Sequence, residues 1–141
     1  IVAYTGTIGK ANALNYLIEA AYKLKDYKDI IFLIVGKGME EEKLKNQVNK
    51  LNLNNVIFLP PVKKTQVQSV LKLVDVCYIG LKREEIFKYG VSPNKLFEYM
   101  YSGRPILYAI NSGNNPVNEA NCGISVEAEN PEEIARGILE F

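Results

Sequence analysis

The chain has 141 residues, 48% hydrophobic and 23% charged, which is typical of a globular domain and excludes a disordered or fibrous chain. Its 17 basic and 16 acidic residues leave a net charge of +1, so we expect no nucleic-acid partner. The chain has no histidine, only two cysteines and no Asp-x-Asp motif, so we expect no metal site and no histidine-based catalytic triad.

The first half of the chain alternates apolar runs with amphipathic segments. Ile1–Thr5 predicts a strand, and Asn12–Lys25 carries apolar residues at helical spacing. Ile30–Val35 is apolar throughout, as expected of a parallel strand that is covered on both faces. A charged surface helix over Glu40–Leu51 and a third strand over Val56–Leu59 follow.

The second half continues the alternation. A short helix over Gln66–Leu73 precedes a fourth strand over Val76–Gly80, and the charged segment Lys82–Val91 predicts an irregular loop. A helix then runs from Ser92 to Tyr101. The remaining predicted elements are strands over Pro105–Ala109 and Gly123–Val126, a short helix near Pro116–Ala120, and a last helix that starts at Asn130 and Pro131.

This order predicts an α/β fold, a three-layer α/β/α Rossmann-like arrangement with a parallel sheet of about six strands. Such sheets bind ligands outside the carboxyl ends of their strands. The segments expected there are Gly6–Lys10, Gly36–Met39, Pro60–Lys64, Leu81–Lys95 and Ala109–Asn115.

The segment around Ser92 has the composition of an anion-binding helix tip. Ser92 and Pro93 predict an N-cap and a first helical residue, and Gly103 predicts the end of the helix. The unpaired N–H groups of such a helix start favour a phosphate, to which Lys95 would add a charge. Glu98, one turn on, would accept hydrogen bonds from two neighbouring hydroxyls, such as those of a ribose.

A plainer interpretation of the same segment is a capped core helix. Leu96, Phe97 and Met100 would then pack inward, and Lys95 and Glu98 would form a surface pair worth a few tenths of a kcal/mol.

The stretch from Ser92 to Ile106 resembles the signature of the group 1 (family 4) retaining glycosyltransferases, which have the GT-B fold. Three other segments are also similar to the family. Its first strand and glycine loop resemble Tyr4–Gly9, its Val-Gly-x-Gly turn resembles Leu33–Gly38, and its Val-x-Phe-Leu-Gly strand resembles Val56–Pro60. The Ser-Pro-Asn-Lys variant beginning at Ser92 resembles bacterial polysaccharide and O-antigen enzymes.

The resemblance implies a C-terminal donor-binding domain that takes a UDP-sugar and requires no cofactor. A glycan or lipid-linked acceptor would bind to an N-terminal domain that residues 1–141 lack, so the isolated chain is expected to be inactive. The resemblance also implies a cytoplasmic enzyme, which in full-length form could associate peripherally with the inner face of the membrane.

The resemblance also implies roles for individual residues. Glu98 would bind the ribose, and the amides of Asn94–Leu96 would bind the diphosphate. The base would contact Pro60–Val62, and the sugar would lie beside Gly90–Ser92. Lys95 and Glu98 are the expected catalytic residues. The expected binding residues are Gly6, Thr7, Gly9, Lys10, Gly36, Gly38, Pro60, Pro61, Val62, Arg83, Gly90, Val91, Ser92, Asn94 and Leu96.

Three positions depart from the family pattern. Gly90 stands where many members carry a first Glu, and Thr7 and Asn12 stand where many carry Arg and Lys. We therefore expect other cations to balance the diphosphate charge, with Lys10, Arg83 and Lys95 as candidates. Sugar identity does not follow from the motif.

Two further functions remain open. A UDP-sugar epimerase could use the same fold, and a non-catalytic Rossmann-like interaction domain would show Glu98 paired only to Lys95. Binding of NAD is the least favoured, because the first glycine loop lacks the spaced triplet of a dinucleotide site.

Overall fold

The computed structural model describes all 141 residues of the chain. Its strands are β1 (Val2–Thr5), β2 (Phe32–Val35), β3 (Val56–Leu59), β4 (Val76–Gly80), β5 (Ile106–Ala109) and β6 (Gly123–Ser125). They form one sheet in the order β3-β2-β1-β4-β5-β6, and all neighbouring strands are parallel. The predicted parallel sheet of about six strands is confirmed.

Helices cover both faces of the sheet and complete the predicted three layers. The first face carries α1 (Leu14–Lys23), α2 (Glu41–Lys50) and α6 (Pro131–Leu139), whose buried residues share one core with Val2 and Tyr4 of β1. The second face carries α3 (Val67–Leu71), α4 (Asn94–Ser102) and α5 (Pro116–Glu119), which share a core with Ala3. Successive residues of β1 thus point to opposite faces, as strand geometry requires.

Three predicted boundaries were wrong. Residues 82–91 include a 3-10 helix over Glu85–Tyr89, and the first predicted helix is broken where Ala13 takes a left-handed conformation with φ 51°. Helix α4 begins at Asn94, with Pro93 rather than Ser92 as its N-cap. Pro93 has extended backbone angles and offers no side-chain acceptor, so the helix start is left without a side-chain cap.

The sheet splits between β1 and β4 at its carboxyl edge. These strands pair only at Val2 with Val76 and at Ala3 with Cys77, whereas β1 stays paired with β2 as far as Thr5. Tyr99 of α4 fills the split, because its hydroxyl accepts a 3.0 Å hydrogen bond from the Thr5 N–H. The order of strands reverses at this point, and the fold therefore opens a crevice at the place where open α/β sheets bind ligands.

The loops after β1 and β2 are joined side by side and form one wall of this crevice. The N–H of Gly6 donates to the Val35 carbonyl and that of Ile8 to the Lys37 carbonyl, each at 2.9 Å. The contact needs a glycine at position 36, where φ is 152° and a Cβ would lie 1.8 Å from the Gly6 carbonyl oxygen.

None of the helices combines the length and the hydropathy that crossing a bilayer would require.

We predict that Gly36→Ala destabilises the chain much more than Gly103→Ala does. Both glycines have positive φ, but a Cβ on Gly103 meets no atom within 4 Å. The Gly103 change should cost about 1 kcal/mol of unfolding free energy, and the Gly36 change about 3 kcal/mol or more, since strain and overlap add. Equal urea midpoints for the two variants would contradict the tight contact between the two loops.

Candidate functional site

A cleft of about 670 Å³ opens at the split between β1 and β4. This volume is within the range of small-molecule binding sites, which is roughly 300–1,000 Å³. One wall is the first turn of α4, and the other walls are the loops that follow β1, β2 and β3. The lining residues are Thr5, Gly6, Thr7, Asn12, Val35, Gly36, Lys37, Pro61, Val62, Lys64, Val67, Asn94, Lys95 and Glu98.

The tip of α4 presents free backbone donors to this cleft. The N–H groups of Asn94 and Lys95 have no hydrogen-bond partner in the chain, and both residues line the cleft. The third predicted donor was wrong, because the N–H of Leu96 donates to the Pro93 carbonyl at 3.1 Å and Leu96 is only 1% exposed. Two amides and the positive end of the helix dipole therefore face the cleft.

Glu98 lies one turn below the tip and also lines the cleft. Its backbone carbonyl accepts a 2.9 Å hydrogen bond from the Gln68 side chain of α3, which fixes this turn of α4 against its neighbour. The carboxylate forms no ion pair with Lys95, so the surface pair expected of a plain core helix is absent. Phe97, expected to pack inward in that interpretation, is 60% exposed.

Lys95 reaches from α4 across the split to a tyrosine of β1. Its Nζ donates a 2.7 Å hydrogen bond to the Tyr4 hydroxyl and lies 4.2 Å from the centre of the Tyr4 ring. The Tyr4 hydroxyl in turn donates to the Thr7 carbonyl at 2.5 Å. Burial lowers the pKa of Lys95 to about 8, against a smaller opposing effect of Glu98.

Thr5 adds an unsatisfied hydroxyl to the floor of the cleft. The residue is 6% exposed, and its Oγ1 has no hydrogen-bond partner. A buried polar atom without a partner is costly, so this hydroxyl lowers the stability of the free chain.

The cations of the cleft are only partly those expected. Lys95 is there, but Lys10 lines a separate cavity of about 170 Å³ together with Gly9. Arg83 is held away from the cleft, because its guanidinium donates to the Ala128 carbonyl at 2.9 Å and pairs with Glu127 at 2.9 Å. Neither Lys10 nor Arg83 therefore lines this cleft in the free chain, and their expected role as cations for the diphosphate stays a prediction.

Lys37 and Lys64 line the cleft instead and were missed from the sequence. The cleft thus holds three lysines and one carboxylate, a balance that suits an anion. Nowhere in the chain do three or more His, Cys, Asp or Glu side chains converge as they would around a metal ion.

Other expected binding residues are divided between the cleft and its surroundings. Those that line it include Gly6, Thr7, Gly36, Pro61 and Val62. Those outside its lining are Pro60, Gly38, Gly90, Val91 and Ser92.

The segment Gly90–Ser92 is tied to the loop after β5. The Val91 N–H donates to Oδ1 of Asn114 at 2.9 Å, and Nδ2 of Asn114 donates to the Val91 carbonyl at 3.0 Å. This pair of bonds holds the segment leading into α4 in one backbone arrangement. The sequence contained no signal for it beyond the polar character of the loop.

The family whose sequence profile matches this chain is described as Glycosyl transferases group 1, and the match covers residues 1–141. A putative colanic acid biosynthesis glycosyl transferase, WcaI of Escherichia coli K12, is 31% identical over 103 residues, covering 73% of this chain and 25% of the relative. An uncharacterized glycosyltransferase of Methanocaldococcus jannaschii is 28% identical over 143 residues, which cover 99% of this chain and 35% of that relative. The chain therefore spans about a quarter to a third of these relatives.

Solved structures share the fold at lower identity. TarM of S. aureus, in complex with fondaparinux, α-GlcNAc-glycerol and UDP, matches with a TM-score of 0.81 at 22% identity, over 99% of this chain and 27% of TarM. HepE of Anabaena, in complex with UDP and glucose, matches with a TM-score of 0.74 at 20% identity, over 96% and 36%. WaaG, a glycosyltransferase involved in lipopolysaccharide biosynthesis, matches with a TM-score of 0.77 at 19% identity, over 99% and 36%.

We predict that Lys95→Met stabilises the ligand-free chain near pH 7 by up to about 3 kcal/mol. The folded pKa of Lys95 is about 8 and the exposed value is 10.5. Between these values the unfolded chain holds more protons, so wild-type stability rises with pH. The advantage of Lys95→Met should therefore be largest below pH 8 and shrink as the pH rises toward 10. Urea unfolding of both proteins at pH 7, 8, 9 and 10 measures the difference in unfolding free energy. A difference that does not change with pH would show that the Lys95 ammonium is not destabilised by burial.

Proposed function

This chain belongs to the glycosyl transferases of group 1, and on that premise we propose that its cleft binds the nucleoside diphosphate of a sugar donor. The observation that carries the proposal is one turn of α4. It places two free amides, a lysine ammonium and an unpaired carboxylate in the same cleft. We propose a UDP-sugar as the donor and a retaining transfer to a glycan or a lipid-linked acceptor.

The diphosphate is proposed to bind at the α4 tip. The free N–H groups of Asn94 and Lys95 would each donate to a phosphate oxygen, and the Lys95 ammonium would neutralise part of the charge. Lys37 and Lys64 add long-range attraction from the opposite wall.

Glu98 is proposed to bind the ribose. Its carboxylate has no ion-pair partner and stands one helical turn, about 5.4 Å along the axis, below the amides. A carboxylate would repel a second phosphate at this place but would accept hydrogen bonds from two vicinal hydroxyls. Pro61 and Val62, on the adjacent wall, are the proposed contacts of the base.

Catalysis is proposed to be mainly electrostatic. When the bond between the sugar and the diphosphate breaks, negative charge develops on the leaving UDP. Asn94 and Lys95 line the cleft in the free chain, so their amides and the Lys95 ammonium would stabilise the charge with little reorganisation. The acceptor would enter from a second domain, outside residues 1–141, on the open side of the cleft.

The relatives support this assignment without identifying the sugar. TarM and HepE have UDP in their solved complexes. WcaI is named for colanic acid and WaaG for lipopolysaccharide. On these grounds we propose a role in bacterial polysaccharide or O-antigen synthesis, in the cytoplasm and at the inner face of the membrane.

The two alternative functions find less support in the cleft. A UDP-sugar epimerase needs several acid–base groups, and the cleft has one carboxylate besides its lysines. An interaction domain would leave Glu98 paired with Lys95, and no such pair is formed.

We predict that Glu98→Ala weakens UDP binding by about 10- to 100-fold, because hydrogen bonds to a charged group are lost. The same change should leave the affinity for pyrophosphate, which has no ribose, unchanged or slightly higher. Isothermal titration calorimetry with both ligands measures the difference.

The matched control for this titration is Glu42→Ala, an exposed carboxylate on α2 without an ion-pair partner. It should bind UDP as the wild type does. Equal UDP affinity of Glu98→Ala and Glu42→Ala would remove the ribose assignment.

We also predict that the isolated chain binds UDP-sugar but releases UDP from it no faster than background. In the proposed two-domain enzyme the second domain would hold the acceptor, so residues 1–141 alone would not position it. A coupled assay for released UDP, with the complete enzyme as the reference, tests this. Turnover by residues 1–141 at the rate of the complete enzyme would overturn the two-domain proposal.

A further inference from the structure

The wall of the cleft that follows β1 has no charged side chain of its own. Gly6, Thr7 and Asn12 are the residues of this wall that line the cleft, and all are neutral. Two phosphates bound at the α4 tip would therefore face a neutral loop unless a cation came from elsewhere.

Lys95 supplies that cation from the opposite side of the split. Its backbone belongs to α4, which packs on the second face of the sheet, whereas Tyr4 belongs to the core of the first face. The side chain crosses the sheet edge and brings its ammonium to Gly6, where a Cβ would lie 3.0 Å from Nζ. Glycine at position 6 thus leaves room for the ammonium beside the loop.

We propose that Tyr4 is a positioning residue that holds the Lys95 ammonium against the β1 loop, so that one lysine serves both walls of the diphosphate site. The Tyr4 hydroxyl accepts from Nζ at 2.7 Å and donates to the Thr7 carbonyl at 2.5 Å. It therefore connects the lysine to the loop directly. The centre of the Tyr4 ring lies 4.2 Å from Nζ, within the distance at which an aromatic ring attracts a cation.

The surroundings of the ammonium leave Tyr4 as its one fixed partner. Burial raises the pKa of Tyr4, Tyr78 and Tyr99 far above neutrality, so all three stay uncharged. The charged groups that share the cleft with Lys95 are Glu98 of its own helix and Lys37 and Lys64 of the other walls. Neither lysine can hold an ammonium in place, and Glu98 forms no ion pair with it.

The first test is Tyr4→Phe, and it rests on the proposed function because UDP is the probe. The variant keeps the ring but loses both hydrogen bonds. We expect UDP affinity at pH 7.5 to fall about 3- to 10-fold. Loss of the acceptor disfavours the charged lysine, so the decline of affinity with rising pH should begin at a lower pH than in the wild type. A structural role alone would not move this pH profile.

The matched control is Tyr108→Phe. Tyr108 lies on β5 and is as fully buried as Tyr4, and its hydroxyl contacts Ser112 in the loop after β5. Tyr4→Phe removes two hydrogen bonds, one of them from a charged group, so it should lower the urea midpoint more than Tyr108→Phe, whose contact with Ser112 spans 3.3 Å. Both variants should remain folded without denaturant, and Tyr108→Phe should keep the wild-type affinity and pH profile. A Tyr4→Phe variant that binds UDP like the wild type, with the same pH profile, would overturn the positioning role.

The second test moves the charge. Lys95→Met should weaken UDP binding, and adding Thr7→Arg should restore it to within about 3-fold of wild type, because an arginine at Thr7 places a cation on the same loop. If the double variant does not recover affinity, Lys95 does not act as the cation of the β1 loop.

If the wild type itself does not bind UDP, the proposed function fails. If it binds and only these variants deviate from expectation, this inference alone fails.

Discussion

The early separation of β1 from β4 determines where the site can form. Because the two strands stay paired over only two residue positions, the carboxyl edge of the sheet opens where the strand order reverses. The α4 tip, the loops after β1 and β2, and the Lys95 side chain all meet in that opening. A sheet with continuous pairing would leave no space between α4 and the β1 loop.

The groups around this opening are donors that the chain itself leaves free. The N–H groups of Asn94 and Lys95 have no partner in the chain, and the Lys95 ammonium is partly buried beside the Tyr4 ring. An anion in the cleft could accept hydrogen bonds from all three. The ammonium is the group that costs stability in the free chain, because water can bond to the two amides at the exposed helix start, and a bound anion would offset that cost.

The sequence was sufficient to predict the sheet and the cleft-facing side of α4, because both depend on local pattern. Apolar runs separated by amphipathic helices indicate a parallel sheet, and Lys95 and Glu98 are three positions apart, which puts both on one face of a helix. The cap at Pro93 was missed because Ser92 is by propensity the better cap, and the structure uses neither side chain.

Long-range contacts could not be predicted in the same way. Tyr4 resembles any buried strand residue, and only the fold shows that a lysine 91 positions later reaches it. The partners of Arg83 in the free chain, Glu127 and Ala128, could not be predicted for the same reason, since they lie more than forty residues away. A charged side chain in a loop can be recognised from sequence, but its partner depends on the packing of distant elements.

A crystal structure of the chain soaked with UDP decides whether the first turn of α4 binds a nucleoside diphosphate. We expect diphosphate oxygens within hydrogen-bond distance of the Asn94 and Lys95 amides, and ribose hydroxyls on the Glu98 carboxylate. UDP bound elsewhere, for example in the smaller cavity beside Gly9 and Lys10 with the α4 tip left empty, would show that the donor site lies outside this cleft.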